Sequence, residues 1–207
     1  PYLGSEYSDE EIYKEFKLVK LRPEKLNKEN LTEKIVELLI SGQIIGWFQG
    51  RMEFGQRALG NRSIIADPRN SKMKNAINSA VKFREYFRPF APSILESEVN
   101  NWFDLQNISS PYMEKVFKIK KELSHLVPAV VHYDMSCRIQ TVNEHMSPLY
   151  YSLIKNFYKV TKVPMILNTS FNINNEPIVL NPSDAIRTFF SSGLDVLIIG
   201  PYILKKD

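Results

Sequence analysis

Short apolar runs alternate along this chain with amphipathic helical stretches, and that alternation restricts the fold more than any other feature. Ile44 to Phe48, Ser63 to Ala66, Val163 to Leu167, Val196 to Ile199 and Tyr202 to Leu204 have strand length, and most end at a Gly, Pro or Asn signal. Val127 to Tyr133 and Arg138 to Val142 read as further strands. Between them, Leu31, Ile35, Leu38 and Leu39 form a helical stripe closed by Gly42. Met73, Ala76, Ile77, Ala80 and Val81 share a second helical face, opposite Lys74, Asn78 and Lys82. Ser147-Pro148 and Asn181-Pro182 open two more helices, the first burying Tyr150, Leu153, Ile154 and Phe157. The second buries Ile186, Phe189 and Phe190 and ends at Gly193. Residues 1–30 are polar with little periodicity and read as a lead-in to one domain over 31–207; residues 97–125 receive no assignment. The pattern predicts an α/β sheet layered with helices.

The charges are distributed unevenly. Up to residue 34 they nearly cancel, 8 acidic against 7 basic, which leaves 20 basic and 15 acidic for the remainder of a +4 chain. Six of the nine arginines lie between residues 47 and 92: Arg51, Arg57, Arg62, Arg69, Arg84 and Arg88. Gly50, Gly55 and Gly60 recur among them. Guanidinium forks grip multi-oxygen anions bidentately, and glycines let backbone N–H groups approach such an anion. One concentrated cluster argues for a small anionic ligand and against a broad nucleic-acid surface. No apolar run approaches the ~20 residues that span a bilayer. The first residues lack the regions of a signal peptide, the missing initiator Met suggests a piece of a longer chain, and the single Cys137 fits the cytoplasm.

Four constellations could carry chemistry. The segment from Gly50-Arg51 to Asn61-Arg62-Ser63 matches neither a Walker loop nor a dinucleotide fingerprint. Its bland alternative is a tight turn whose arginines pair with Glu53 and Asp67, two acids against three guanidiniums. Lys82 and Arg84 lie at a helix end, followed by the rigid Arg88-Pro89-Phe90-Ala91-Pro92. There the helix dipole is the competing explanation. His132 and Asp134 would share one side of a strand, with Arg138, Gln140 and Thr141 just beyond. His125, His145 and Cys137 fit no ligand spacing, so no protein metal site is expected and His132 reads as a hydrogen-bonded residue. Finally, Asn168-Thr169-Ser170-Phe171-Asn172 follows a buried strand, where α/β proteins collect ligands; a self-stabilised Asx turn is the rival.

With Gly46-Trp47-Phe48-Gln49-Gly50-Arg51-Met52-Glu53-Phe54-Gly55, Arg57-Ala58-Leu59-Gly60-Asn61-Arg62-Ser63, Phe87-Arg88-Pro89-Phe90-Ala91-Pro92, Arg138-Ile139-Gln140-Thr141-Val142 and Asn168 to Asn172 in order, the chain resembles the C-terminal, YrdC-like domain of the O-carbamoyltransferases. That family includes the nodulation-factor and antibiotic carbamoyltransferases. The resemblance implies a YrdC-like twisted, mixed open sheet layered with helices. It also implies a carbamoyl-activating domain that binds carbamoyl phosphate and ATP, with Mg²⁺ arriving on ATP, to form carbamoyladenylate. A covalently linked N-terminal transferase domain, the one holding iron, would pass the carbamoyl group to an acceptor hydroxyl.

By the same resemblance, Arg57, Arg88 and Arg138 are assigned as catalytic on the carbamoyl phosphate side, with Arg51 and Arg62 shaping the loop. Lys82 and Arg84 would face the triphosphate, and Thr141, Asn168, Ser170 and Asn172 would complete the binding set. Two positions depart from the family: Met135 and Ser136 replace a glycine and a small residue after Asp134, and Asn175 replaces the glycine before Glu176-Pro177-Ile178-Val179. The alternatives are a non-catalytic nucleotide- or RNA-binding module and a regulatory lid on the N-terminal domain.

Overall fold

The computed structural model describes residues 1–85, 87–104 and 109–206. Tyr86 of the arginine segment and residues 105–108 of the unassigned stretch lie outside the described residues.

The chain opens on α1 (Asp9–Leu18), held by a capping box in which Ser8 and Glu11 bond each other's backbone N–H. A two-residue strand β1 (Glu24–Lys25) and helix α2 (Lys28–Ile40) follow. Then come β2 (Ile45–Phe48), β3 (Arg62–Ala66) and the short α3 (Met73–Ile77). Strand β4 (Ala91–Leu95) and the one-turn helix α4 (Val99–Trp102) lead to β5 (Phe117–Lys118), β6 (Ser136–Cys137) and β7 (Gln140–Val142). The chain closes with α5 (Pro148–Thr161), β8 (Met165–Ser170), α6 (Pro182–Phe190), β9 (Val196–Ile199) and β10 (Tyr202–Lys205).

Eight strands form one mixed sheet in the order β1-β10-β9-β2-β3-β8-β4-β7, and β5 pairs with β6 alone. Among the described residues only β2 with β9 and β4 with β7 run parallel. Every residue of β2, β3, β4 and β9 is buried, which requires cover on both faces of the sheet. α5 packs on β8, β4 and α2, while α6 packs on β9, β2 and α1. The expected α/β class, a mixed sheet layered with helices, is the one observed.

Four local expectations are corrected. Residues 1–30 are not a lead-in: α1 buries Ile12 and Phe16 against the core, and β1 pairs with β10 at the sheet edge. Residues Val127 to Tyr133 form turns instead of a strand, although Val127, Ala129 and Val130 are buried. Apolar content there reflects packing, not sheet pairing. Phe190 is half exposed, and Ser147 uses its hydroxyl on Tyr2 Oη (2.7 Å) instead of capping α5. Among the described residues no helix is long and apolar enough to cross a membrane.

Candidate active site

The loop joining β2 to β3 is organised by one carboxylate. Glu53 is buried, and its Oε1 accepts the backbone N–H of Leu59 (2.6 Å), Asn61 (2.8 Å) and Arg62 (3.2 Å). The loop's carbonyls are claimed as well: Tyr2 Oη and Gln140 Nε2 donate to Leu59 O, and Trp47 Nε1 donates to Gly60 O. Gly60 sits at φ +101° with the Tyr150 ring only 2.4 Å from where a Cβ would stand, so no other residue fits. Held in this way, the loop presents Arg57 from a fixed backbone. The acids weighed above as partners for the arginines are taken elsewhere: Glu53 serves the backbone and Asp67 pairs with Arg69 at 2.6 Å.

Past α3 the backbone loosens into a π-helical turn, Asn78–Lys82, closed by the Phe83 N–H bonding Asn78 O five residues back. Phe83 ends the turn in the left-handed region at φ +42°, a conformation costly for an aromatic residue. This turn drives Lys82 inward, where it is 4% exposed and donates to Ser170 O (2.6 Å), Ser170 Oγ (3.2 Å), Asn172 O (3.0 Å) and Asn172 Oδ1 (2.8 Å). Burial, and then the charge of Arg84, pull its pKa down to about 7. Arg84 turns the other way, bonding Asn78 Oδ1 (3.1 Å) and lying 4.5 Å over the Phe90 ring.

Within β8, which runs on to Ser170, Asn168 is clamped in a network of buried polar side chains. Its Nδ2 donates to Ala58 O (3.1 Å) and meets Ser93 Oγ (3.0 Å) and Gln140 Oε1 (3.1 Å). Asn168 Oδ1 is buried and has no hydrogen-bond partner; the same is true of Arg138 Nε.

These elements enclose a cavity of about 100 Å³ lined by Arg57, Arg84, Arg138, Asn168, Thr169 and Ser170, with Phe90 and Met113 as apolar wall. No carboxylate is among its lining residues. Burial, then the charges of Arg88 and Arg138, lower the pKa of Arg84; burial and the charge of Arg57 lower that of Arg138. The three guanidiniums therefore repel one another in a partly desolvated space, an arrangement that an incoming anion relieves. Arg84 also borders a more open cleft of about 430 Å³ shared with Asn75, Asn78, Ser79 and Phe83.

The structure thus brings Arg57, Arg84, Arg138, Asn168 and Ser170 to one cavity, although they come from widely separated segments. Lys82 and Asn172 lock to each other beside it. Arg88 lies outside the lining, exposed and paired with Glu85 at 2.9 Å. Arg51 is exposed, and its carbonyl accepts from Asn61 Nδ2. Arg62 is fully buried; its guanidinium stacks 3.5 Å from the Phe48 ring and donates to the carbonyls of Gln49, Asn61, Ser5 and Gly50. Thr141 is buried in β7, where its Oγ1 accepts from Ser110 N (3.0 Å) and anchors the segment leading to Met113. His132 Nδ1 meets Ser136 Oγ (3.2 Å), and Asp134 is held at about 2 by bonds from Ser136 and Lys118. Sequence reasoning missed Glu53 as loop organiser, and it missed Asn78 and Met113. Glu53, the single acid between Gly50 and Ser63, was the available signal for the first.

Among the described residues, a mixed eight-stranded α/β sheet thus carries an arginine-lined cavity at its loops. Residues 36–206 match the carbamoyltransferase C-terminus family, and the chain belongs to that family. It is 44% identical over 180 residues to nodulation protein NolO of Bradyrhizobium diazoefficiens, an alignment covering 86% of this chain and 33% of that protein. With the 3'-hydroxymethylcephem-O-carbamoyltransferase of Amycolatopsis lactamdurans it shares 35% identity over 162 residues, 78% of this chain and 30% of that protein. The chain therefore spans about a third of these relatives. Full-length HypF, solved in its phosphate- and nucleotide-bound form, has the same fold at TM-score 0.59 and 15% identity, covering 83% of this chain and 25% of HypF.

Proposed function

We propose that this domain activates a carbamoyl group, binding carbamoyl phosphate and ATP and forming carbamoyladenylate for a linked N-terminal domain to transfer to an acceptor hydroxyl. The observation that carries the reading is Arg84, which borders both the small arginine cavity and the adjoining cleft. The small cavity holds roughly three water volumes, which suits a compact anion and excludes a nucleotide. Carbamoyl phosphate goes there, on Arg57, Arg84 and Arg138, with Arg88 at the rim. ATP lies in the cleft, with Mg²⁺ as its counterion and Phe83 and Asn78 beside it; the buried Asn78 Nδ2 has no acceptor of its own.

Atom balance sets the sequence of bonds. Water takes the phosphoryl group from carbamoyl phosphate, leaving carbamate and inorganic phosphate. A carbamate oxygen then attacks the α-phosphorus of ATP, and pyrophosphate leaves. The arginines offset negative charge on both anions and hold them in line, so catalysis here is positioning plus electrostatics. The lone buried Cys137 and phosphorylated substrates fit the cytoplasm. Calorimetric titration of ATP with and without carbamoyl phosphate tests the reading: each ligand is expected to tighten or consume the other. ATP binding indifferent to carbamoyl phosphate would leave a nucleotide-binding module.

A further inference from the structure

The amide of Asn168 has a fixed orientation. Ala58 O can only accept, so the atom facing it is Nδ2; Leu59 O likewise fixes Gln140 Nε2 and turns Gln140 Oε1 toward Ser93 and Asn168. The remaining end of the Asn168 amide, Oδ1, is a buried acceptor with no donor. Arg138, which lines the same cavity, has the opposite defect: its buried Nε–H has no acceptor. Unpaired buried groups are costly, and native proteins seldom keep them without a use. A plain anion would satisfy Arg138 and leave Asn168 unmet. A ligand carrying both an anionic oxygen and an N–H would satisfy both.

We propose that Asn168 Oδ1 is the specificity-determining acceptor for the amino group of the carbamoyl ligand, while Arg57, Arg84 and Arg138 hold its phosphate. The inference rests on the anion-site reading above and adds how the site tells a carbamoyl phosphate from an acyl phosphate. Replacing NH₂ by CH₃ changes shape little, so size cannot discriminate. A buried acceptor can, because the methyl analogue leaves it unpaired, and sites built around such a bond reject the analogue strongly. The Ser93, Gln140 and Tyr150 network behind Asn168 holds the acceptor still: Tyr150 Oη donates to Ser93 Oγ (3.1 Å), which donates to Gln140 Oε1 (2.7 Å).

The test uses two hydrolytically stable probes that differ only in this group, phosphonoacetamide and 2-oxopropylphosphonate, with inorganic phosphate as the common reference. In the 207-residue chain the amide is expected to bind about 50-fold or more tighter than the ketone. In Asn168→Ala, confirmed folded by circular dichroism, the two affinities are each scaled to phosphate in the same variant, and that ratio falls below about threefold. Should Asn168→Ala not fold, the Asn168 side-chain amide resonance of the unmodified chain carries the test, shifting with phosphonoacetamide and not with 2-oxopropylphosphonate. A ratio near one in the unmodified chain, or a ratio unchanged in a folded variant, overturns the assignment. Failure of all three probes to bind folded protein instead removes the anion site itself, and the assignment with it.

Discussion

Lys82 Nζ donates to Asn172 Oδ1 at 2.8 Å, joining the π-helical turn to the loop after β8 across 90 residues of sequence. The same ammonium meets three more oxygens of Ser170 and Asn172. Four acceptors favour its charged form; burial opposes it and prevails, bringing the pKa to about 7. Between about pH 7 and the ordinary lysine range, the unfolded chain therefore holds a proton that the folded chain has released. Unfolding takes up that proton, so stability rises with pH across this window. Urea denaturation from pH 7 to 9.5 should show a gain on the order of 3 kcal/mol that Lys82→Met abolishes. Parallel pH profiles for the two proteins would contradict a depressed Lys82.

Glu53 governs the arginine loop through three backbone bonds to one oxygen. Glu53→Ala strands those N–H groups in the interior and should cost about 3 kcal/mol, together with phosphate affinity, because Arg57 loses its fixed backbone. Glu53→Gln retains a carbonyl acceptor and should lose less than half as much. Chemical denaturation and phosphate titration of both variants check the pair. Equal losses would assign the effect to charge instead of loop geometry.

Arg84 and Arg88 are four residues apart but differ in surroundings. Arg84 is half buried and borders both cavities, whereas Arg88 is exposed and spends its charge on Glu85. Losing a charge-assisted bond to a desolvated phosphate costs about 2–4 kcal/mol, or roughly 30- to 1000-fold. Arg84→Ala should fall in that range in ligand affinity, and Arg88→Ala below tenfold, since exposed charges contribute little. A larger loss for Arg88→Ala would mean that it leaves Glu85 and enters the site when ligand binds.

Much of the fold was legible because its signals are local. Asn181-Pro182 gave the capped start of α6, and Val196–Ile199 is a strand with the expected bounds. What sequence could not show was long-range. Nothing in Ser5 announces that its carbonyl accepts from the buried Arg62 at 3.1 Å, and that bond helps make the first residues part of the domain. Nothing in Asn168 reveals that its Nδ2 is bound to Ala58. The family departures are instructive in the other direction. Met135 and Asn175 stand where the resemblance leads one to expect glycine, and both adopt φ +65°, a left-handed backbone without the residue that makes it easy. The arginine cluster signalled an anion site; burial then separated Arg57, Arg84 and Arg138 in the cavity from Arg62 in the core.

Activation of a carbamoyl group on this domain is read out by exchange of labelled pyrophosphate into ATP. Carbamoyladenylate formation releases pyrophosphate, so its reversal writes the label into ATP only if the adenylate forms. With Mg²⁺ present, the folded chain should catalyse exchange that requires carbamoyl phosphate and falls about 30-fold or more in Arg84→Ala. Exchange independent of carbamoyl phosphate, or none from folded protein that binds both ligands, would mean that no carbamoyladenylate forms on this domain.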